Sequence, residues 1–168
     1  LIGNNLVSRI IIVDYGMGNI WSVKNALNYI GCLPDVTSST DKILKASHII
    51  LPGVGSFRKA MRNINELKID KALKTVVKIG EAKILGICLG MQLLGHSSSE
   101  DGKTSGLGFI PNQVEKFKNK SKDNLKIPHI GFNTVKIQEN SGLFFDLDKN
   151  SDFYFVHSYR MLPEQLSN

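Results

Sequence analysis

At 168 residues, 42% hydrophobic and 21% charged, the chain is long enough to bury one substantial core and falls within the usual size of a single domain. No apolar run approaches the roughly 20 residues of a membrane span, and the opening L-I-G-N-N-L-V-S has neither the basic start nor the long apolar stretch of a signal peptide, so one cytoplasmic domain over residues 1–168 is expected, without a membrane partner. The net charge of +6 permits anion binding, but the densest run, K-F-K-N-K-S-K over Lys116 to Lys122, is interleaved with Asn and Ser; it reads as a solvated hairpin tip, and no nucleic-acid motif or partner accompanies it.

In chain order, Arg9–Asp14 (R-I-I-I-V-D) is a β-branched apolar run suited to a strand buried on both faces. Y-G-M-G-N then supplies a turn, and Ile20, Val23, Leu27 and Ile30 recur at helical spacing before Gly31 ends the element. A short extended piece at Pro34–Ser38 precedes a buried strand, His48–Leu51, closed by P-G-V-G. Phe57, Ala60, Met61, Ile64 and Leu67 mark one helical face, and Ile69, Leu73, Val76 and Val77 mark another. Lys83–Cys88 (K-I-L-G-I-C) is the next strand, and L-G-M-Q-L-L opens a helix. This alternation predicts an α/β fold with a mostly parallel sheet and helices on both faces. After about Gly106 the extended stretches V-E-K-F, I-P-H-I-G-F-N-T-V-K-I and F-Y-F-V-H-S-Y follow one another without helices, as hairpins added to that core. No linker marks a second domain.

The two cysteines, Cys32 and Cys88, share no C-x-x-C spacing, which argues against a disulfide framework or a metal site. Cys88 stands in a distinctive setting: a buried strand running into G-x-C-x-G and then a helix, the form of a nucleophile elbow with Cys in place of Ser. Gly86 and Gly90 allow a sharp turn without side-chain clashes, and the helix from Leu89 aims its first amides at the sulfur, favouring attack on a carbonyl. Alone, that match is weak, because buried cysteines are usually inert small hydrophobes. A second loop, Pro52-Gly53-Val54-Gly55, also follows a buried strand, and loops at strand carboxyl ends converge on one crevice in open α/β sheets. Its glycines can present backbone N–H groups as half of an oxyanion hole.

The segments D-Y-G-M-G-N, L-P-G-V-G-S-F, G-I-C-L-G-M-Q-L-L, G-L-G-F-I, I-P-H-I-G-F-N and F-Y-F-V-H-S-Y-R, in that order over residues 9 to 160, resemble the HisH-type glutaminase subunit of imidazole glycerol phosphate synthase. The resemblance implies a flavodoxin-like class I glutamine amidotransferase fold needing no cofactor. In it, Cys88 attacks the side-chain amide of glutamine, ammonia leaves, and water cleaves the glutamyl thioester. Backbone at Leu89 and at Val54 or Gly55 would hold the oxyanion. Gln92, Glu100 and the backbone around Ser158 and Tyr159 match positions that hold the amino acid end of glutamine, although Gln92 and Glu100 are equally readable as helix and loop surface. The implied partner is a HisF-type cyclase barrel, making a heterodimer. Asn19, His129, Phe132 and Asn133 match the side that faces it, with Phe132 standing where Trp is often found and so lacking an indole N–H. Met17, Gly18 and Asn19 are equally a structural turn.

In this family a His and a Glu in an H-P-E run complete the triad, and no such run occurs here; Pro163-Glu164 follows Leu162 instead. Four histidines are present. His48 opens a strand at the wrong end of the sheet, His96 falls on or after the nucleophile helix, His129 lies in the partner-facing motif, and His157, the nearest by motif, precedes the family position. The expectation is a domain lacking its C-terminal catalytic segment, read as a fragment of a longer protein and inactive by itself. A naturally altered chain end is the alternative. Competing readings are the same glutaminase chemistry feeding a surface-sugar synthase, a non-catalytic binding subunit, and another cysteine hydrolase or redox sensor, which would favour His rather than Leu89 after the cysteine.

Overall fold

The computed structural model describes residues 9–80, 82–118, 126–137 and 142–163. The chain clusters into two compact units, one formed by the described residues up to Glu115 together with Met161 onward, the other by Lys116 to Arg160.

In the first unit, β1 (Ile10–Val13), β2 (Asp35–Thr37), β3 (His48–Gly53) and β4 (Lys83–Cys88) form a parallel sheet in the order β2-β1-β3-β4. This is the strand order of flavodoxin-like sheets. Helices α1 (Ile20–Tyr29), α2 (Thr40–Leu44), α3 (Phe57–Glu66) and α4 (Ile69–Ile79) make the crossovers. Right-handed crossovers send α1 to one face and α2, α3 and α4 to the other, because the chain steps one way from β1 to β2 and the opposite way thereafter. Ile11, Val13, Ile49 and Leu51, alternate residues of two adjacent strands, pack in one cluster with Phe57, Ala60, Met61 and Ile64 of α3 and with Ile69, Ala72, Leu73 and Val76 of α4. Each fully buried aliphatic side chain there contributes about 1.5–3 kcal/mol. Ser56 starts α3 by accepting from the Lys59 N–H at 3.3 Å, and Gly80, at φ +78°, ends α4 in the left-handed region.

Several expected elements differ in extent. β3 runs two residues beyond Leu51 and includes Pro52 and Gly53, because its parallel ladder with β4 continues to Cys88. α2 falls in a stretch with too little apolar periodicity to announce a helix and buries only Ile43. Leu67 and Val77, at the margins of their helical faces, stay exposed. The expected face of α1 is present, yet no residue of that helix is buried and Trp21 is 74% exposed, because no described element covers it.

Two short strands, β5 (Ser97–Ser98) and β6 (Thr104–Ser105), pair antiparallel, and β5 also pairs with β7 (Gln113–Lys116) in parallel. In the second unit, β8 (His129–Lys136) and β9 (Asn150–His157) form one antiparallel hairpin in continuous register from His129↔His157 to Lys136↔Asn150. Alternation puts Ile130, Phe132, Tyr154 and Val156 on one exposed face, with Phe132 against Tyr154 at 5.1 Å between ring centroids. A last strand, β10 (Tyr159–Met161), follows. Most of the lysine-rich run at 116–122 lies outside the described residues.

Candidate active site

Three loops leave the carboxyl ends of β1, β3 and β4, and the tightest surrounds Cys88. That residue ends β4 and precedes α5 (Leu89–Leu93) with φ 55° and ψ −117°, the first central position of a type II′ turn. Such a conformation normally belongs to glycine, so here the cysteine itself carries the strain of the elbow, about 1–3 kcal/mol. Gly86 and Gly90 contribute room rather than special φ values: a Cβ on Gly90 would overlap the Leu51 carbonyl oxygen, and one on Gly86 would sit 2.6 Å from the Met91 nitrogen. The elbow is therefore pressed directly onto β3, and its thiol is left exposed. α5 has only five residues, so few peptide dipoles align behind the sulfur; the usable groups are the N–H donors of its first turn.

The parallel ladder pairs Pro52 with Ile87 and Gly53 with Cys88. It thus sets the P-G-V-G loop beside the elbow as neighbouring rungs. Gly55 adopts φ +97°, and Val54 is exposed. The turn after β1 packs on the same loop, since a Cβ on Gly18 would lie 3.4 Å from Pro52 Cγ and one on Gly55 3.1 Å from Met17 Cε. Under the loop, Tyr15 is 2% exposed and donates its hydroxyl to the Pro52 carbonyl at 2.7 Å. Burial, and then the charge that Cys88 can carry, pushes the Tyr15 phenol well above its ordinary range.

An exposed thiol at a strained strand–helix junction, flanked by two backbone-rich loops, is an acyl-transfer geometry. The family description "Glutamine amidotransferase class-I" matches residues 11–168. The chain is 44% identical over 153 residues to imidazole glycerol phosphate synthase subunit HisH 1 of Parasynechococcus marenigrum (strain WH8102), covering 91% of this chain and 73% of that one. It is 46% identical to subunit HisH 2 of Methanococcus maripaludis, covering 95% and 77%. The chain belongs to the HisH-type class I glutamine amidotransferases. Solved structures agree in fold: a glutamine amidotransferase crystal structure superposes with a TM-score of 0.67 at 16% identity, covering 87% of this chain and 70% of that one. The PurLQS structure from Thermotoga maritima does so with a TM-score of 0.59 at 18% identity, covering 92% and 68%.

The remaining candidate residues of this amidotransferase divide between the units. Gln92 lies half-buried on α5, one turn after Cys88. Glu100 turns its carboxylate to the start of α3, accepting from the Phe57 N–H at 2.9 Å, while its own N–H donates to Ser98 Oγ at 3.1 Å. Beside it Ser56 donates to Asp101 at 3.1 Å and Arg58 to Thr104 at 3.3 Å, so the β5–β6 turn is fastened to α3. Asn19 caps α1, its amide oxygen accepting from the Ser22 N–H at 3.2 Å, which gives that residue a structural task. Ser158, Tyr159, His129, Phe132 and Asn133 belong to the second unit. There Phe132 is 73% exposed, and His157 is engaged at both ring nitrogens: Nδ1 donates to the Tyr159 carbonyl at 2.9 Å and Nε2 meets His129 Nδ1 at 3.1 Å. His48 stands at the amino end of β3, roughly 16 Å from Gly53 at the usual rise per residue.

A cavity of about 360 Å³ opens at the amino ends of β1 and β2, lined in part by Arg9, Leu33, Lys42 and Lys45, with Asp35 paired to Lys42 at 2.8 Å. It lies at the opposite end of the sheet from Cys88 and has no part in this chemistry. Among the described residues no group of three or more His, Cys, Asp or Glu gathers to hold a metal, and no helix is long and apolar enough to cross a membrane. Tyr15 escaped the sequence reading because its segment looked like a turn alone. Its place at the carboxyl end of β1 was the only available signal.

Proposed function

We propose that the chain is the glutaminase subunit of an imidazole glycerol phosphate synthase, hydrolysing glutamine to glutamate and ammonia with Cys88 as nucleophile. The observation that carries this reading is the pairing of Gly53 with Cys88, which sets a strained, exposed thiol beside the P-G-V-G backbone. Cys88 Sγ bonds to the side-chain carbonyl carbon of glutamine, and the carbonyl oxygen takes the negative charge. N–H groups of Leu89 and of Val54 or Gly55 receive that oxyanion, where each such donor is worth roughly 10²–10³ in rate. Collapse expels ammonia once its nitrogen is protonated, leaving a glutamyl thioester that water cleaves to glutamate and free thiol. The proton acceptor is assigned neither to His48, which stands at the amino end of β3, nor to His157, whose ring nitrogens are both engaged.

Gln92, Glu100, Ser158 and Tyr159 are proposed to hold the amino acid end of glutamine. The ammonia is proposed to pass to a cyclase subunit of the HisF type, met through Asn19, His129, Phe132 and Asn133. The exposed apolar face of the β8–β9 hairpin around Phe132 supports a protein partner at the hairpin. The test is Cys88→Ala in the full-length protein with its synthase partner: glutamine-dependent activity falls by about 10⁴-fold or more, while activity with added ammonia persists. Glutaminase turnover unchanged by Cys88→Ala would sink the mechanism.

A further inference from the structure

Beside the elbow, the buried phenol of Tyr15 has no part in the chemistry described above. Tyr15 is held at both ends, its backbone carbonyl accepting from Asn63 Nδ2 at 3.0 Å and its hydroxyl donating to the Pro52 carbonyl at 2.7 Å. A carbonyl and the N–H that follows it belong to one planar peptide. Holding the Pro52 oxygen therefore fixes the Gly53 N–H and the point from which the Val54 and Gly55 amides set out. Gly53 is the last rung of the β3–β4 ladder, and Val54 and Gly55 lie beyond it, so a tether on the Pro52 carbonyl bears on the point where the loop leaves the sheet. A Cβ on Gly53 would lie 2.5 Å from the Tyr15 hydroxyl oxygen and 2.8 Å from the Gly90 nitrogen, so the phenol packs where the P-G-V-G loop and the elbow touch. Because burial and the neighbouring Cys88 both disfavour the phenolate, the hydroxyl keeps its proton, and goes on donating, when the thiolate forms.

We propose, resting on the reading of Cys88 as nucleophile, that Tyr15 is a positioning residue for glutamine hydrolysis: by holding the Pro52 carbonyl it sets the orientation of the backbone N–H groups at Val54 and Gly55 that receive the oxyanion. It touches neither glutamine nor the reacting atoms. Tyr15→Phe removes one oxygen and leaves the ring. In the full-length protein with its synthase partner, this variant loses at least tenfold in kcat for glutamine hydrolysis. KM stays within twofold of wild type, and so does the rate of Cys88 alkylation by iodoacetamide, because substrate capture and the thiol are untouched. Amide hydrogen exchange at Val54 and Gly55 quickens by at least tenfold while that of α4 does not change. 3-Fluorotyrosine at position 15, which keeps ring and donor, holds kcat within threefold of wild type; a loss as large as that of the Phe variant would overturn the role of the hydroxyl. A Tyr15→Phe kcat within twofold of wild type overturns it too, as does unaltered exchange at Val54 and Gly55. The exchange is read without glutamine, so wild-type protein that fails to hydrolyse glutamine would sink the nucleophile reading while the tether is still decided.

Discussion

Replacing Cys88 by Gly and by Ala separates the strain at the elbow from its chemistry. Both variants remove the exposed thiol, so neither can hydrolyse glutamine through residue 88, and loss of sulfur contacts cancels between them. They differ in the Cβ, which Ala keeps at φ 55°, ψ −117° and Gly does not. Relief of a non-glycine residue in such a region is worth about 1–3 kcal/mol. Against it stands the extra freedom of glycine in the unfolded chain, about 0.4–1 kcal/mol. The balance leaves Cys88→Gly more stable than Cys88→Ala by about 1 kcal/mol. For a chain of this size that is a difference of about 2–4 °C in Tm, or about 0.5 M in urea midpoint if m is roughly 2 kcal/mol/M. Paired urea melts followed by circular dichroism give the comparison directly. An Ala variant as stable as the Gly variant would refute the claim that the cysteine bears the strain.

Gly90→Ala and Gly80→Ala should both destabilise, for opposite reasons. The first has no room beside the Leu51 carbonyl and costs about 3 kcal/mol, at the upper end of overpacking effects; the second has open space but a left-handed φ of +78° and costs about 1–2 kcal/mol, both read from denaturant melts. Glu100→Ala removes the carboxylate acceptor at the start of α3 and lowers stability by about 1 kcal/mol, whereas Glu100→Gln, keeping an acceptor oxygen, loses less. Alkaline unfolding should depend on Tyr15. Its folded pKa is raised above the ordinary 10.0, so its stability contribution is fully present below pH 10 and declines above it as the unfolded chain releases the proton. The wild-type stability curve should therefore fall more steeply above pH 10 than that of Tyr15→Phe, by up to about 1.4 kcal/mol per pH unit; parallel curves would rule this out.

The strands and the tight turn at Cys88 were legible in the sequence because they depend on local composition. Ile10–Val13 and Lys83–Cys88 are short apolar runs closed by glycine-bearing turns, and no other element type satisfies them. The role of the elbow glycines was legible in kind but not in detail: the sequence suggests that Gly86 and Gly90 avoid side-chain clashes in the turn, and the structure shows which atoms they clear, those of Met91 and Leu51, while Cys88 itself takes the unusual φ. Glu100 and Asn19 show why single polar residues resist assignment. Each carries a side chain suited to a ligand, and each already holds the start of a helix, a contact fixed by tertiary placement for Glu100 and by three-residue spacing for Asn19. The extended form of Pro52 and Gly53 was hidden because proline and glycine ordinarily end strands, while here a neighbouring ladder overrides that tendency. The bare face of α1 could not be anticipated either, since periodicity reports what a helix could bury and not what lies opposite.

The pairing of Gly53 with Cys88 has a further consequence for how this site can fail. Its two halves are rungs of one ladder, so their separation is measured out by hydrogen-bond spacing, as on a ruler, and not by the rotamers of long side chains. A one-residue insertion or deletion in either β3 or β4 would slide one half past the other and silence the site while much of the sheet still folds. Local parting of β4 from β3 would do the same reversibly, so activity should vanish at lower temperature or denaturant than the core that α3 and α4 build.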